Sequence, residues 1–293
     1  MTKLSERALL ASLRISSWSG MQVDNEVTDS VNETYKAGKK AGRYNKRLVH
    51  NSFLAGISGA HSAARATHRL LTLPWEDDGC RVLANTGYLT YQRKMHECKQ
   101  QAEKEVKKFL ESPDEYIKEA RERLGDMFNE KDYPDPATLA TKFAFDVEIK
   151  GLPDAGDFRA QLSDAHTKAI IKDIEKRTND RLEKATNDVF NRIREKVEHL
   201  RERLNAYTPN DESGTRTQGI IRDSAITNIL ELANDVLPVL NIMDDKRIED
   251  LRVKLMSDLV EHSPEILRSD NKIRQLTISK ADQILAKVRS YMK

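Results

Sequence analysis

The 293-residue chain predicts a mainly α-helical protein with a long antiparallel coiled-coil helical arm, a small two-stranded β-sheet and a C-terminal helical bundle. Three observations carry this expectation. Charged residues make up 33% of the chain and aromatics only 6%, a balance of long-helix proteins rather than of sandwiches or doubly wound sheets. From Asp157 to Tyr207 there is neither Gly nor Pro, and apolar or small residues recur at steps of three or four. Two short stretches instead alternate apolar and polar residues, as half-buried strands do.

Leu9, Ala11, Leu13 and Ile15 form the first alternation and predict a strand over about 9–17. Residues 24–72 read as helical, weakest near Gly38 and Gly42. The small residues between Ala55 and Ala66 would let another backbone approach closely. Pro74 ends this region. Glu76, Asp77 and Asp78 follow Trp75, but three adjacent carboxylates lack the convergent ligands that a hard cation needs. They read instead as the acidic start of a helix that runs to about Glu111. Ser112, Pro113 and Glu115 make a capping-box pattern and open another helix, to about Asn129. Asp135 and Pro136 re-cap a short one. Phe143, Phe145, Val147 and Ile149 form the clearest alternation, and the strand they predict is the natural partner of the first.

The Gly- and Pro-free segment would make a helix of about 70 Å. Its apolar stripe needs a second helix to cover it. Leu182, Val189, Ile193, Val197, Leu200 and Leu204 are the expected coiled-coil seam. The expected antiparallel partner is the run from about Arg81 to Asn129, extended by a second copy of the chain. Residues 208–219 read as a polar hinge, followed by helices near 220–236, 245–261 and 271–291. The domain expectation is therefore 1–158, 159–207 and 220–293.

Function is harder to read. Cys80 and Cys98 form no disulfide framework and suit a reducing cytoplasm. No stretch approaches the length of a membrane span, and the segment before Gly20 is too polar for a signal peptide. The nucleophile, zincin and phosphate-loop motifs are absent, so no catalytic residue, metal or cofactor is expected. His50, His61 and His68 fall on one helical face, but the first two would stand about 16 Å apart, too far to share a metal. They read as core-edge histidines.

Charge placement is more informative. Between Thr34 and Trp75 there are eight bases and no acid: Lys36, Lys39, Lys40, Arg43, Lys46, Arg47, Arg65 and Arg69. Residues 76–158 carry 19 acids against 13 bases. Such asymmetry points to an acidic protein surface or to nucleic acid. Tyr44 is the only aromatic within the densest part of the run, which is thin for a base-stacking platform.

"ISSWSG", "YKAGKKAGRYNKRLVH", "LPWEDDGCRVL", "FAFDVEIKGLPDAGDFR" and "IIRDSAITNILELANDVLPVLNIMDD" occur in this order. This pattern resembles domain-of-unknown-function family 3150, an uncharacterised, mainly helical family of bacteriophages and prophages. The resemblance implies a protein encoded near a MoxR-type AAA+ ATPase and a von Willebrand A-domain protein, and carries over no catalytic residues. It implies an adaptor in an ATPase-driven system. The expectation is a non-enzymatic phage interaction or assembly protein in the host cytoplasm, self-associating and docking a protein partner. The alternative is a DNA-binding accessory protein of phage replication, recombination or nuclease protection.

Overall fold

The structure is a computed structural model and describes residues 4–76, 79–153, 164–208 and 221–292. In chain order its first elements are β1 (Ala8–Ser16), β2 (Met21–Val23), α1 (Asn25–Thr34), β3 (Asn45–Arg47), α2 (Asn51–Leu70), β4 (Leu73–Pro74) and β5 (Arg81–Ala84). Then come α3 (Tyr88–Leu110), α4 (Pro113–Leu124), α5 (Pro136–Ala140), β6 (Ala144–Gly151) and α6 (Asp164–Asn205). The last are α7 (Asp223–Glu231), α8 (Leu237–Leu240), α9 (Lys246–Leu259), α10 (Pro264–Ser269) and α11 (Asn271–Tyr291). The mainly helical class stands. One sheet has the strand order β4-β5-β1-β6, and β2 pairs with β3 in a separate ribbon. The two expected strands are therefore neighbours, but in a sheet of four strands rather than two.

The chain divides into two compact units. The first holds residues 1–12, 69–91 and 149–293, and the second holds 13–68 and 92–148. This division differs from the expected boundaries, because strands from the first hundred residues share a core with α6.

In the first unit, β5 pairs antiparallel with β1 (Leu10 opposite Val82) and with β4 (Leu73 opposite Val82). The segment after Trp75 thus joins two antiparallel strands, where the sequence predicts an acidic helix start. Gly79 adopts φ +89, a conformation that side-chain-bearing residues rarely take, and lets the chain reverse there. Glu76 N–H donates to the Cys80 carbonyl across the turn, at 3.1 Å. Asp77 and Asp78 lie outside the described residues.

The seam of α6 is buried from Ala185 onward. Val189, Ile193, Val197, Leu200 and Leu204 join Ile229 of α7, Leu251 and Leu255 of α9, and Ala281, Leu285 and Val288 of α11. Within the first unit the covering helix is α11, where the sequence predicts 81–129, with α7 and β4 completing the contact. The reason lies in local structure. Strand β5 takes Arg81–Ala84 out of the expected helix, and α11 meets the seam with its own stripe of Ile278, Ala281, Leu285 and Val288. Arg192 fixes the helix to the chain before β4, donating to the Leu70 and Thr72 carbonyls at 2.9 Å each. A π-helical turn, Leu232–Val236, stands just before Pro238, whose missing N–H interrupts the α-helical ladder.

Gly87 is buried where β5 passes into α3, and a Cβ there would overlap Cγ1 of Val239. Val239 is β-branched and cannot swing away cheaply. Gly87→Ala is expected to cost about 1–3 kcal/mol. Adding Val239→Ala should return part of that loss in a double-mutant cycle read by urea unfolding.

The second unit is built around aromatic rings. Phe109 stacks on Tyr116 with centroids 4.9 Å apart, while Trp18 and Phe143 approach Phe109 at 6.2 and 6.1 Å. Leu48, Val49, Ile57 and Leu139 fill the spaces between them. Arg14 of β1 reaches Glu148 of β6 at 3.3 Å. Helix α2 buries Ile57, His61, Ala64 and His68, spaced by four, three and four. Its small residues Ala55, Gly56, Ser58, Gly59, Ser62 and Ala63 are exposed, and at Gly56 the Glu105 side chain of α3 comes so near that a Cβ would overlap it. Helix α4 starts at Pro113 as the sequence predicts, although the Ser112 side chain makes no capping bond. It stops at Leu124, earlier than expected, because Gly125 follows with φ +53.

Candidate functional site

The basic run is the feature to place first. "YKAGKKAGRY" is not helical. Helix α1 ends at Thr34, Lys36 has φ 51, and residues 35–44 form an exposed connector to β3. A helix here would set Lys36, Lys39, Lys40 and Arg43 at spacings of three and four, where like charges repel. Gly38 and Gly42 would each cost it roughly a further 1 kcal/mol.

Both ends of the connector are held. Ala37 N–H donates to the Asn32 carbonyl at 2.7 Å, and Ala41 N–H to the Gly38 carbonyl at 2.9 Å. Tyr44 N–H donates to Thr28 Oγ1 at 3.0 Å, and its carbonyl accepts from Asp24 N–H at 3.0 Å. Lys36, Lys39, Lys40 and Arg43 are exposed, and among the described residues none lies within ion-pair distance of a carboxylate. Tyr35 is 78% exposed at one end and Tyr44 is exposed at the other. No motif in the sequence points to these tyrosines. The charge run alone marks them, Tyr44 within it and Tyr35 at its edge.

The other four bases do different work. Lys46 sits on β3 with its side chain only 7% exposed, 3.1 Å from Asp24 and 2.7 Å from Asp132. Its ammonium also donates to the Met127 carbonyl at 3.1 Å. Two carboxylates and a carbonyl thus surround the ammonium inside the unit. Burial alone would lower the Lys46 pKa, but hydrogen bonds and charge from the two carboxylates outweigh it and hold the ammonium above its ordinary value. The Val27 N–H, reinforced by Lys46, holds Asp24 below the usual carboxylate range. Asp24 is also the N-cap of α1, accepting from Val27 N–H at 3.0 Å. Lys46 therefore leaves the expected binding patch and becomes an internal pin. Short sequence motifs could not show this, because its two partners stand 22 residues before it and 86 after it.

Arg47 is half-buried and bonds Asn51, while its carbonyl accepts from Arg123 at 2.9 Å. Arg65 is exposed on α2, one turn after His61, and not on the connector. Arg69 is exposed in the first unit, near Arg81, so the eight bases do not form one patch.

In the first unit, Leu182 is half-buried in the wall of a cleft of about 370 Å³ that Asn241, Asp245, Arg247 and Tyr291 also line. Arg247 is neutralised there by Asp245 at 2.6 Å and lies over the Phe190 ring at 5.3 Å. Glu76 pairs with Arg181 at 2.9 Å, which gives it a structural partner rather than a ligand. Among the described residues, no group of three or more His, Cys, Asp or Glu side chains could hold a metal ion. No helix among them is long and apolar enough to cross a membrane. Set against protein-family models, curated proteins and solved structures, the chain matches none of them.

Proposed function

We propose that the protein is a non-catalytic interaction protein that docks an acidic protein partner through the connector 35–44. The observation that carries this reading is the set of four exposed cations, Lys36, Lys39, Lys40 and Arg43, with no carboxylate beside them among the described residues. An adaptor role toward a MoxR-type AAA+ ATPase or a von Willebrand A-domain protein, in a phage-encoded system, follows from the family resemblance. Self-association has a surface to use in α6: residues 165–180 include no buried side chain, and Ile170, Ile171 and Ile174 lie half-covered along them.

Nucleic acid is the second reading, favoured by the exposed Tyr35 and Tyr44 on either side of the cations. With Lys46 sequestered, the connector offers four cations, which limits the log–log salt slope to roughly 4. That is a small footprint for a DNA-binding surface, so the protein partner is preferred.

The test uses the full chain and a variant carrying Lys36→Glu, Lys39→Glu, Lys40→Glu and Arg43→Glu. The variant should melt as wild type does, since these side chains hold nothing in the fold. It should lose co-purification with the co-encoded ATPase or A-domain protein. Fluorescence anisotropy with a generic DNA duplex should give only weak binding. Tight duplex binding with a steep salt slope, abolished by the variant, would install the nucleic-acid reading instead.

A further inference from the structure

A cleft of about 310 Å³ opens in the second unit between α2, α3, α5 and β6, and neither the basic connector nor the Lys46 ion triad takes part in it. Its volume is at the lower end of the range for small-molecule pockets, about 300–1,000 Å³. Val106, Leu110, Phe143 and Phe145 give it apolar walls. His61 also lines it and is only 4% exposed.

The ring of His61 has no hydrogen-bond partner among the described residues. His50, by contrast, meets Ser52 at 2.8 Å, and His96 meets Gln100 at 3.0 Å. Its ring nitrogens are not sealed from solvent, so water or a ligand in the cleft can supply the partner that the chain does not. Burial, aided by the charge of Arg65, lowers the His61 pKa, so the ring is neutral near pH 7. A neutral imidazole offers one N–H donor and one acceptor nitrogen.

The charges that line the cleft narrow the ligand further. Glu103 and Glu111 are set against Lys107, and Lys107 already faces Glu111 at 3.7 Å. No cation remains there to pair with an anionic head. A neutral molecule with a flat apolar body and one hydrogen-bonding group suits both the walls and the histidine.

We propose that this cleft binds a small neutral aromatic molecule bearing a hydroxyl, with its ring against Phe143, Phe145, Val106 and Leu110 and its hydroxyl bonded to His61.

The test titrates the full chain with p-cresol, toluene and decanoate, read by calorimetry and by the histidine ring resonances. p-Cresol should saturate and shift the His61 ring, and toluene should bind at least about fivefold more weakly, the loss of one hydrogen bond. Decanoate should be weaker than either. His61→Phe should bring p-cresol down to the toluene affinity. Val106→Trp, which fills the cleft, should abolish both responses while the melting temperature stays within a few degrees. Should His61→Phe fail to fold, the toluene comparison and Val106→Trp still decide the matter. Equal affinities for p-cresol and toluene, tight decanoate binding, a p-cresol response that survives Val106→Trp, or no saturation by any probe would each overturn the proposal.

Discussion

Ile193→Asp is expected to unfold the first unit at room temperature. Ile193 is 0% exposed on α6, within the core shared with α7, α9 and α11. A carboxylate placed there loses its hydration and gains no charge partner on that face. It must either stay ionised in an apolar surrounding or take up a proton, and either course costs several kcal/mol. The lost packing of the isoleucine adds about 2–5 kcal/mol. Against a typical domain stability of about 5–15 kcal/mol, little or nothing remains. Val189→Asp should behave alike, since Val189 is equally buried. Ile193→Val, which removes one methylene, should cost only about 1 kcal/mol.

The measurement also separates two roles for the seam. If it closes the chain's own core, the Asp variants lose hydrogen-exchange protection together in α6, α7, α9 and α11. If it joined two copies, the variants would keep their protection and lose only molecular mass in light scattering. The second outcome would contradict the packing of α6 against α11.

How much of this is legible in the sequence can be followed residue by residue. Val189, Ile193, Val197, Leu200 and Leu204 are readable as buried, because a stripe at steps of three and four fixes which face of a helix is covered. What covers it is not readable. Periodicity carries no information about the partner, and 81–129 and α11 both offer apolar positions at helical spacing. Strand β5 escapes a sequence reading because Arg81–Ala84 is a four-residue run, too short for period to separate strand from helix. The longer alternations of β1 and β6 mark both strands. Within the helical reading of 24–72, Gly38, Gly42 and four cations at helical spacing are the signal that the connector 35–44 breaks away. The basic run is legible as a cluster of charge, but not the fact that Lys46 points inward. That requires knowing that β3 pairs with β2, opposite Gln22, and that Asp132 arrives from a distant part of the chain. The His61 cleft needs three helices and a strand to exist, and no local pattern encodes it.

Lys46→Met should destabilise the second unit by about 3–5 kcal/mol, the usual cost of removing one partner from a buried ion pair. The two carboxylates left behind are each 12% exposed and would face one another without a counter-charge. Gln22 donates to Asp132 at 3.1 Å but brings no positive charge. Pairing the change with Asp24→Asn and Asp132→Asn should restore at least half of the loss. The Asp24→Asn side chain keeps an oxygen that can accept from Val27 N–H and cap α1, since Asn and Asp are similar caps. The pH dependence follows from the signs of the two shifts. Asp24 is held below its unfolded value near 3.9, so its contribution is full above that pH and is lost as pH falls through the lower folded value. Lys46 is held above its unfolded value near 10.4, so its contribution is full below that pH and is lost as pH rises through the folded value. The stability difference between wild type and Lys46→Met should therefore be widest from about pH 5 to 9 and shrink at both ends. Urea unfolding at about pH 3.5, 7 and 11, read by the near-ultraviolet signal of Trp18 and its neighbouring rings, measures it. A Lys46→Met protein that unfolds at the wild-type urea concentration at neutral pH would mean that the ammonium contributes nothing to the fold and could return to the binding surface.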